Sequence, residues 1–234
     1  LSRHVQSVLV VTGLAAEARI AAGPGVEVVC SGSDPVRLRA LLDGLVPSRY
    51  SAAVSFGISG GLDPALHAGD VVIATQITSD ADVWPMAAAL AGALAERLSV
   101  LGTSVSRAAV AGVNAPVMDA AGKATLRTKT GAAAVDMESH MVARFAASAG
   151  LPACAVRVIS DPAERGLPPL ATRALKPDGR VDFPAVLAGI AGNPGQIPLL
   201  IRAGRDARMA FATLRRVRGL LDHGLGLDGA GLRA

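Results

Sequence analysis

A series of short apolar runs, rich in β-branched residues and with little polar alternation, constrains this chain more than any other feature. Residues 7–12, 26–30, 52–56, 70–77, 106–113 and 153–160 each read as such a strand. A strand without alternation is buried on both faces, and strands of that kind belong to parallel or mixed sheets covered by helices. The segments between them carry helical signals. Asp34 is placed to cap and Pro35 to open a helix over 35–46. Residues 85–100, 118–130 and 137–149 read as helices, the last closed by Gly150. Turn signals at Pro177-Asp178-Gly179 and Asn193-Pro194-Gly195 separate two further helices, 181–191 and 197–221. With no internal repeat and no low-complexity linker, residues 1–234 are expected to form one α/β domain, with 222–234 a frayed tail.

Composition narrows the function classes. Hydrophobic residues make up 51% of the chain and aromatics only 3%, so a large core is available but stacking platforms for single-stranded nucleic acid are not. The net charge of +4 and pI near 9.7 are compatible with an anionic partner, and equally with a solvated basic surface. Cys30 and Cys154 sit in apolar runs without metal-ligand spacing, so no metal site is expected and both thiols are expected to be reduced. The apolar run at 8–11 is too short for a signal core, and no stretch approaches a membrane span. A cytoplasmic protein is the expectation.

Binding sites of open α/β sheets lie beyond the carboxyl ends of the strands. Four such ends are suggestive: Gly13 to Glu17, Ser55 to Gly61, Val135 to Ser139 and Ile159 to Asp161. The glycine loop Gly57-Ile58-Ser59-Gly60-Gly61 allows close approach of a ligand to main-chain amides, or is simply a tight turn; it is no Walker loop, lacking the following Gly-Lys-Ser/Thr. In Val135-Asp136-Met137-Glu138-Ser139, Asp136 can cap the next helix, which leaves Glu138 unexplained by capping, although a first-turn acid also complements the macrodipole. Asp161, after Ser160, either makes a turn before Pro162 or stands as a partly desolvated acid at the mouth of an apolar strand.

Together these residues resemble the nucleoside phosphorylases and the methylthioadenosine/adenosylhomocysteine nucleosidases. The resemblance rests on Gly13, Gly57 to Gly61, Met137-Glu138 and Ser160-Asp161 in that order, across residues 8–163. A closer resemblance, to the hopanoid-associated phosphorylases, rests on Ser55 to Pro64, Val135 to Ser139 and residues 184–221. It implies a three-layer α/β/α fold with a central mixed, partly barrel-like sheet, no cofactor, and inorganic phosphate as co-substrate. The implied activity is a purine nucleoside phosphorylase of hopanoid biosynthesis that removes adenine from adenosylhopane. A hydrolytic adenosyl-nucleosidase is the alternative, and a non-catalytic nucleobase-binding relative the reading of another class.

By the same resemblance, Asp161 is the acid at purine N7, oriented by Ser160. Glu138 holds the ribose hydroxyls and Met137 packs under the ribose. The base lies among Asn114, Ala115, Pro116 and Val117. Gly13, Gly57 and Ser59 present amides or a hydroxyl towards phosphate or water, Ile58 and Gly60 are further substrate-binding residues, and Leu14, Ile58 and the loop 166–169 line an apolar groove for the 5′ substituent. The sequence departs from the trimeric and hexameric phosphorylases where they carry Gly-Asp-Pro-x-Arg. Here the stretch is Gly13-Leu14-Ala15-Ala16-Glu17, which puts an acid where phosphate wants a cation. Glu17 points to activation of water, or is a first-turn acid; Arg19 or Arg37 would have to supply a phosphate site.

On the last helix, Ala203, Ala210, Leu214, Val217 and Leu221 share one face and Arg205, Arg208, Arg215 and Arg216 the other. That pattern fits a helix covering the sheet with a solvated basic face, or a surface touching anionic lipid. A homo-oligomer is expected, and nucleic acid is not expected as a partner.

Overall fold

A computed structural model of the chain describes residues 6–80, 82–168, 194–221 and 223–227. The expected helix 181–191, the turn at 177–179, Pro169 and the end of the tail lie outside the described residues.

The sheet is mixed and partly closed, as expected. Strands β3 (Tyr50–Gly61), β8 (Ala153–Asp161), β4 (Val71–Ser79), β6 (Val105–Gly112) and β7 (Ala134–Asp136) pair in a ring, because β7 returns to pair with β3. Closing the ring removes open edges from its five strands. Strands β1 (Ser7–Thr12) and β2 (Val26–Cys30) extend the sheet from β3 in parallel, and β5 (Asp82–Pro85) extends it from β4.

The apolar runs explain the layers. Along β1, Val8 and Val10 face one core while Leu9 and Val11 face another, and all four are fully buried. The first core is covered by α1 (Ala15–Ala21), α3 (Ala88–Leu98) and the long α6 (Ile197–Leu220) through Ala21, Leu90, Leu94, Leu214 and Val217. The second is covered by α2 (Pro35–Asp43) and α5 (Ser139–Ala149) through Leu38, Leu42, Val142 and Ala146. Helix α4 (Ala120–Thr130) lies over a smaller cluster with Leu62 and Val135, which Leu126 joins.

The cap residues act as their types require. Asp34 accepts from the amides of Val36 and Arg37 at 2.8 and 3.1 Å, and Gly150 closes α5 with a left-handed φ of 65°. Several boundaries differ from expectation; the helix expected over 35–46 ends at Asp43, and that expected over 118–130 starts at Ala120. The glycine run 57–61 continues strand β3 instead of forming a loop. The first turn of the expected helix 85–100 gives way to Pro85 as the end of β5. Residue 137 precedes α5, which starts at Ser139. In α6, Ala210, Leu214 and Val217 are buried and Arg205, Arg208 and Arg215 exposed, as the helical wheel requires. Arg216 is exposed with them, its guanidinium donating to the Leu101 carbonyl. Among the described residues no helix is long and apolar enough to cross a membrane.

Candidate active site

The ends of β1, β3, β7 and β8 surround one cavity of about 500 Å³. Its lining includes Gly13, Leu14, Glu17, Ile58, Ser59, Gly60, Met137, Glu138, Ser160 and Asp161, so four separated segments of the sequence meet there. Pro116, Val117 and Leu167 add apolar wall, as do Val113 and Val135. The register explains the convergence. Gly60 of β3 pairs with Val135 of β7 on one side and Asp161 of β8 on the other, which sets Glu138 and Asp161 on two walls of the same space.

The site is built around a charge that the sequence shows only as a break in an apolar run. Arg157, in the middle of β8, is completely buried. Its Nε lies 2.6 Å from Asp136 Oδ2 and its Nη2 3.7 Å from Glu138 Oε2; Nη2 also donates to the hydroxyls of Ser55 and Ser139. Asp136 in turn caps α5, accepting from the Glu138 and Ser139 amides at 3.0 and 2.8 Å. The capping role expected for Asp136 is therefore real, and it shares the residue with the ion pair.

Glu17 is buried beside the same guanidinium. Its Oε2 accepts from the amides of Gly13 and Leu14 at 2.9 and 2.8 Å, and its Oε1 accepts from the Ile58 amide at 2.7 Å. A carboxylate has about four acceptor positions, so one lone pair on Oε1 remains for another donor. Burial pushes the Glu17 pKa up, against the opposing pull of Arg157 and the three amides. Burial likewise raises Glu138, to about 8; Arg157 opposes the shift, and the negative charges of Asp136 and Glu17 reinforce it. Three buried carboxyl groups thus share one buried guanidinium.

Across the cavity, Ser160 Oγ lies 2.7 Å from Asp161 Oδ1 and 3.1 Å from the Ser59 carbonyl. One hydroxyl proton therefore has two acceptors within reach. The Ser59 hydroxyl itself is buried without a hydrogen-bond partner in the protein, at the cavity wall.

Several expected contacts are not as the sequence suggested. Asn114 and Ala115 do not line the cavity; after β6 the chain turns so that Asn114 Oδ1 meets His140 Nε2 at 3.0 Å, and Ala115 is exposed. Gly57 is also outside the lining. A Cβ there would fall 2.5 Å from Glu17 Oε1 and 3.0 Å from Arg157 Nη1, so this glycine makes room for the ion cluster and offers nothing to a ligand. The amide of Gly13 is spent on Glu17, and a Cβ at 13 would strike Glu138 Oε1 at 2.5 Å. Arg19 borders a different cavity with Arg215 and Arg218, and Arg37 is absent from the site's lining. Among the described residues, no Lys or Arg lines the main cavity.

The role of Gly57 is testable. Gly57→Ala should cost about 1–3 kcal/mol, the usual range for forcing atoms into a packed site, read as a lower denaturation midpoint in urea. A variant as stable as the parent would show that the cluster has slack the distances do not suggest.

Comparison with a family model places residues 40–178 in a known group. The chain belongs to the phosphorylase superfamily. None of the curated proteins compared by sequence matches it. Solved structures of superfamily-like fold superpose over nearly the full length. The 5′-methylthioadenosine/S-adenosylhomocysteine nucleosidase of Neisseria meningitidis, in complex with methylthio-immucillin-A, has a TM-score of 0.68 at 17% identity, covering 92% of this chain and 98% of that one. The corresponding Helicobacter pylori enzyme gives 0.64 at 16% identity, covering 91% and 97%. Futalosine hydrolase of the same organism gives 0.64 at 17%, covering 92% and 98%. At these identities the likeness concerns the fold. In this member of the phosphorylase superfamily, the acids and glycines that carried the resemblance converge, and Arg157 is the residue that sequence reasoning missed. A lone charge inside an otherwise apolar strand was the available signal.

Proposed function

We propose that this protein cleaves the N-glycosidic bond of an adenine nucleoside with a large apolar 5′ substituent, transferring the ribosyl group to water. The observation that carries this reading is the meeting of Glu138 and Asp161 on two walls of one cavity whose lining, among the described residues, contains three acids of the Arg157 cluster and no cation. N-glycosidic cleavage develops positive charge on the ribose and negative charge on the purine, and an enzyme gains rate by fitting that separation. Glu138 serves the sugar side, holding ribose hydroxyls and favouring the cation. Asp161 serves the base side.

The C1′–N9 electron pair leaves with the purine, a proton passes from Asp161 to N7, and the oxygen of water bonds C1′. The proton lost by that water goes to the free lone pair on Glu17 Oε1. The two carboxyl groups exchange protonation states in the turnover and reset through solvent. Ser59, with its unpartnered hydroxyl, is a substrate contact, and Met137 packs against the ribose. Pro116 and Val117 face the base. Leu14, Ile58 and Leu167 give the 5′ side an apolar wall, which suits a lipid-linked nucleoside such as adenosylhopane. Peripheral contact with anionic lipid fits that substrate: α6 exposes Leu199, Ile201 and Met209 beside Arg202, Arg205 and Arg208.

Transfer to phosphate is the second reading, and its specific support is the unsatisfied Ser59 hydroxyl in the wall of the cavity, which Ser33 also lines. Against it stands the charge: a phosphate dianion would enter a pocket lined by Glu17 and Glu138 with, among the described residues, no lining cation. Following free adenine from a 5′-alkylated adenine nucleoside, with and without phosphate, decides between them. The expected result is release at an unchanged rate without phosphate and the 5-alkylated ribose as the co-product. Release that needs phosphate and yields the 5-alkylated ribose 1-phosphate would reverse the assignment, and no release in either buffer would remove the enzymatic reading.

A further inference from the structure

Lys123 is a lysine that its helix alone would place in solvent, yet it is only 1% exposed. From the first turns of α4 its side chain runs beneath Gly60, and a Cβ on that glycine would lie 3.6 Å from Lys123 Cε. The ammonium ends at four oxygens: Asp161 Oδ2 at 2.6 Å, the Asp161 carbonyl at 3.0 Å, and the carbonyls of Pro162 and Arg165 at 2.9 Å each. All four are acceptors. The cage offers oxygens alone, and the lysine head group meets them with donors alone. A lysine needed only to anchor the segment 161–165 would be satisfied by the three carbonyls. The fourth contact, and the shortest, is to the carboxyl group that faces the cavity.

We propose that Lys123 is the positioning residue of the leaving-group side: it fixes Asp161 Oδ2 and supplies the positive charge against which Asp161 becomes a carboxylate as the purine departs. This rests on the reading of Asp161 as the acid at the base. With Oδ2 held by Lys123, Oδ1 is the oxygen left to carry the proton. When C1′–N9 breaks and its electron pair passes to the purine, the Oδ1 proton moves to N7. The charge left on Asp161 is shared with Lys123, and the Ser160 hydroxyl swings from the Ser59 carbonyl to Oδ1. Without Lys123 the departing base and the new carboxylate would develop negative charge side by side in a buried wall. Lys123 does not touch the substrate; it acts through Asp161.

The test uses leaving groups of graded basicity. Wild type, Lys123→Met and Lys123→Arg are compared on 5′-alkylated ribosides of adenine, 2-fluoroadenine and 6-chloropurine. K123M is expected to lose ~10²-fold in kcat on the adenine compound, the size typical of a lost charge-assisted contact, with KM little changed. The loss should shrink to less than about tenfold on 6-chloropurine, which departs with less help from an acid. K123R should recover part of the adenine rate. An equal loss on all three bases would show a merely structural lysine and overturn the proposal, as would an unchanged rate. Because K123M leaves a buried carboxylate alone, the wild-type protein supplies an independent measurement. The ¹⁵N-labelled Lys123 ammonium should be visible by NMR with protected protons, and its resonance should move when adenine is added. A resonance unmoved by saturating adenine would count against the proposal even if no variant folds. If wild type releases no base from any riboside, the functional reading fails first, and the two failures are thereby told apart.

Discussion

Arg157→Met should destabilise the protein by about 3–5 kcal/mol at neutral pH, the range found when one partner of a buried ion pair is removed. For a chain of this size each kcal/mol corresponds to about 2–4 °C in Tm, so the midpoint should fall by about 6–20 °C. Methionine fills much of the space, and the cost comes from the carboxylates left behind. Asp136 loses its 2.6 Å partner, and Glu17 and Glu138 lose the charge that opposes their desolvation. The pH dependence distinguishes this from a packing defect. Arg157 lowers the pKa of both glutamates, so its removal raises them further and leaves the native state binding more protons than the unfolded chain over a wider range. Stability falls with rising pH wherever that holds. The gap between wild type and variant should therefore widen from pH 5 to pH 8. Urea titrations at the two pH values measure it, and a gap of the same size at both would mean that the charge of Arg157 is not what the fold uses.

Glu138→Gln is expected to lose ~10²–10³-fold in kcat/KM, the scale of a missing electrostatic contact to the transition state, while gaining stability in mildly alkaline buffer. The gain follows from the sign of the shift. The folded pKa of Glu138, about 8, lies above the ordinary carboxyl value of 4.5. Its stabilising contribution is complete below about 4.5 and declines as pH rises through 8, where a buried site must accept the negative charge. Glutamine removes that decline, so Tm at pH 8 should rise relative to wild type while Tm at pH 4.5 changes little. Activity runs the other way. The carboxylate, not the acid, steadies a ribosyl cation, so wild-type kcat/KM should climb with pH towards 8 and the variant should lack that limb. A pH–rate profile with the same limb in both proteins would take Glu138 out of the chemistry.

Much of this site is readable in the chain. Apolar strands 7–12, 26–30 and 153–160 appear within a residue of where they lie, because hydrophobic runs without alternation have few other ways to be buried. Asp136 as a cap, Glu138 as a surplus acid and Asp161 at a strand mouth were each visible locally. Their convergence was not, since it depends on β3 pairing with both β7 and β8. The glycine run 57–61 reads as a loop because glycine weakens strands. It stays in β3 because the space a side chain would need belongs to Glu17, Arg157 and Asp161. Lys123 was invisible for a related reason. Its helix looks ordinary, and the residues that bury it lie 38 to 42 positions further along the chain.

The ring of five strands also bears on how such a protein fails under heat. Glu138 and Asp161 follow strands stitched to the same segment of β3, so neither can drift from the other by a hinge or a sliding lobe. The machinery and the scaffold are one cooperative object. Loss of turnover on warming should accordingly track the main melting transition with no earlier inactive yet folded stage, and amides of β3 should exchange with deuterium only as the whole molecule opens.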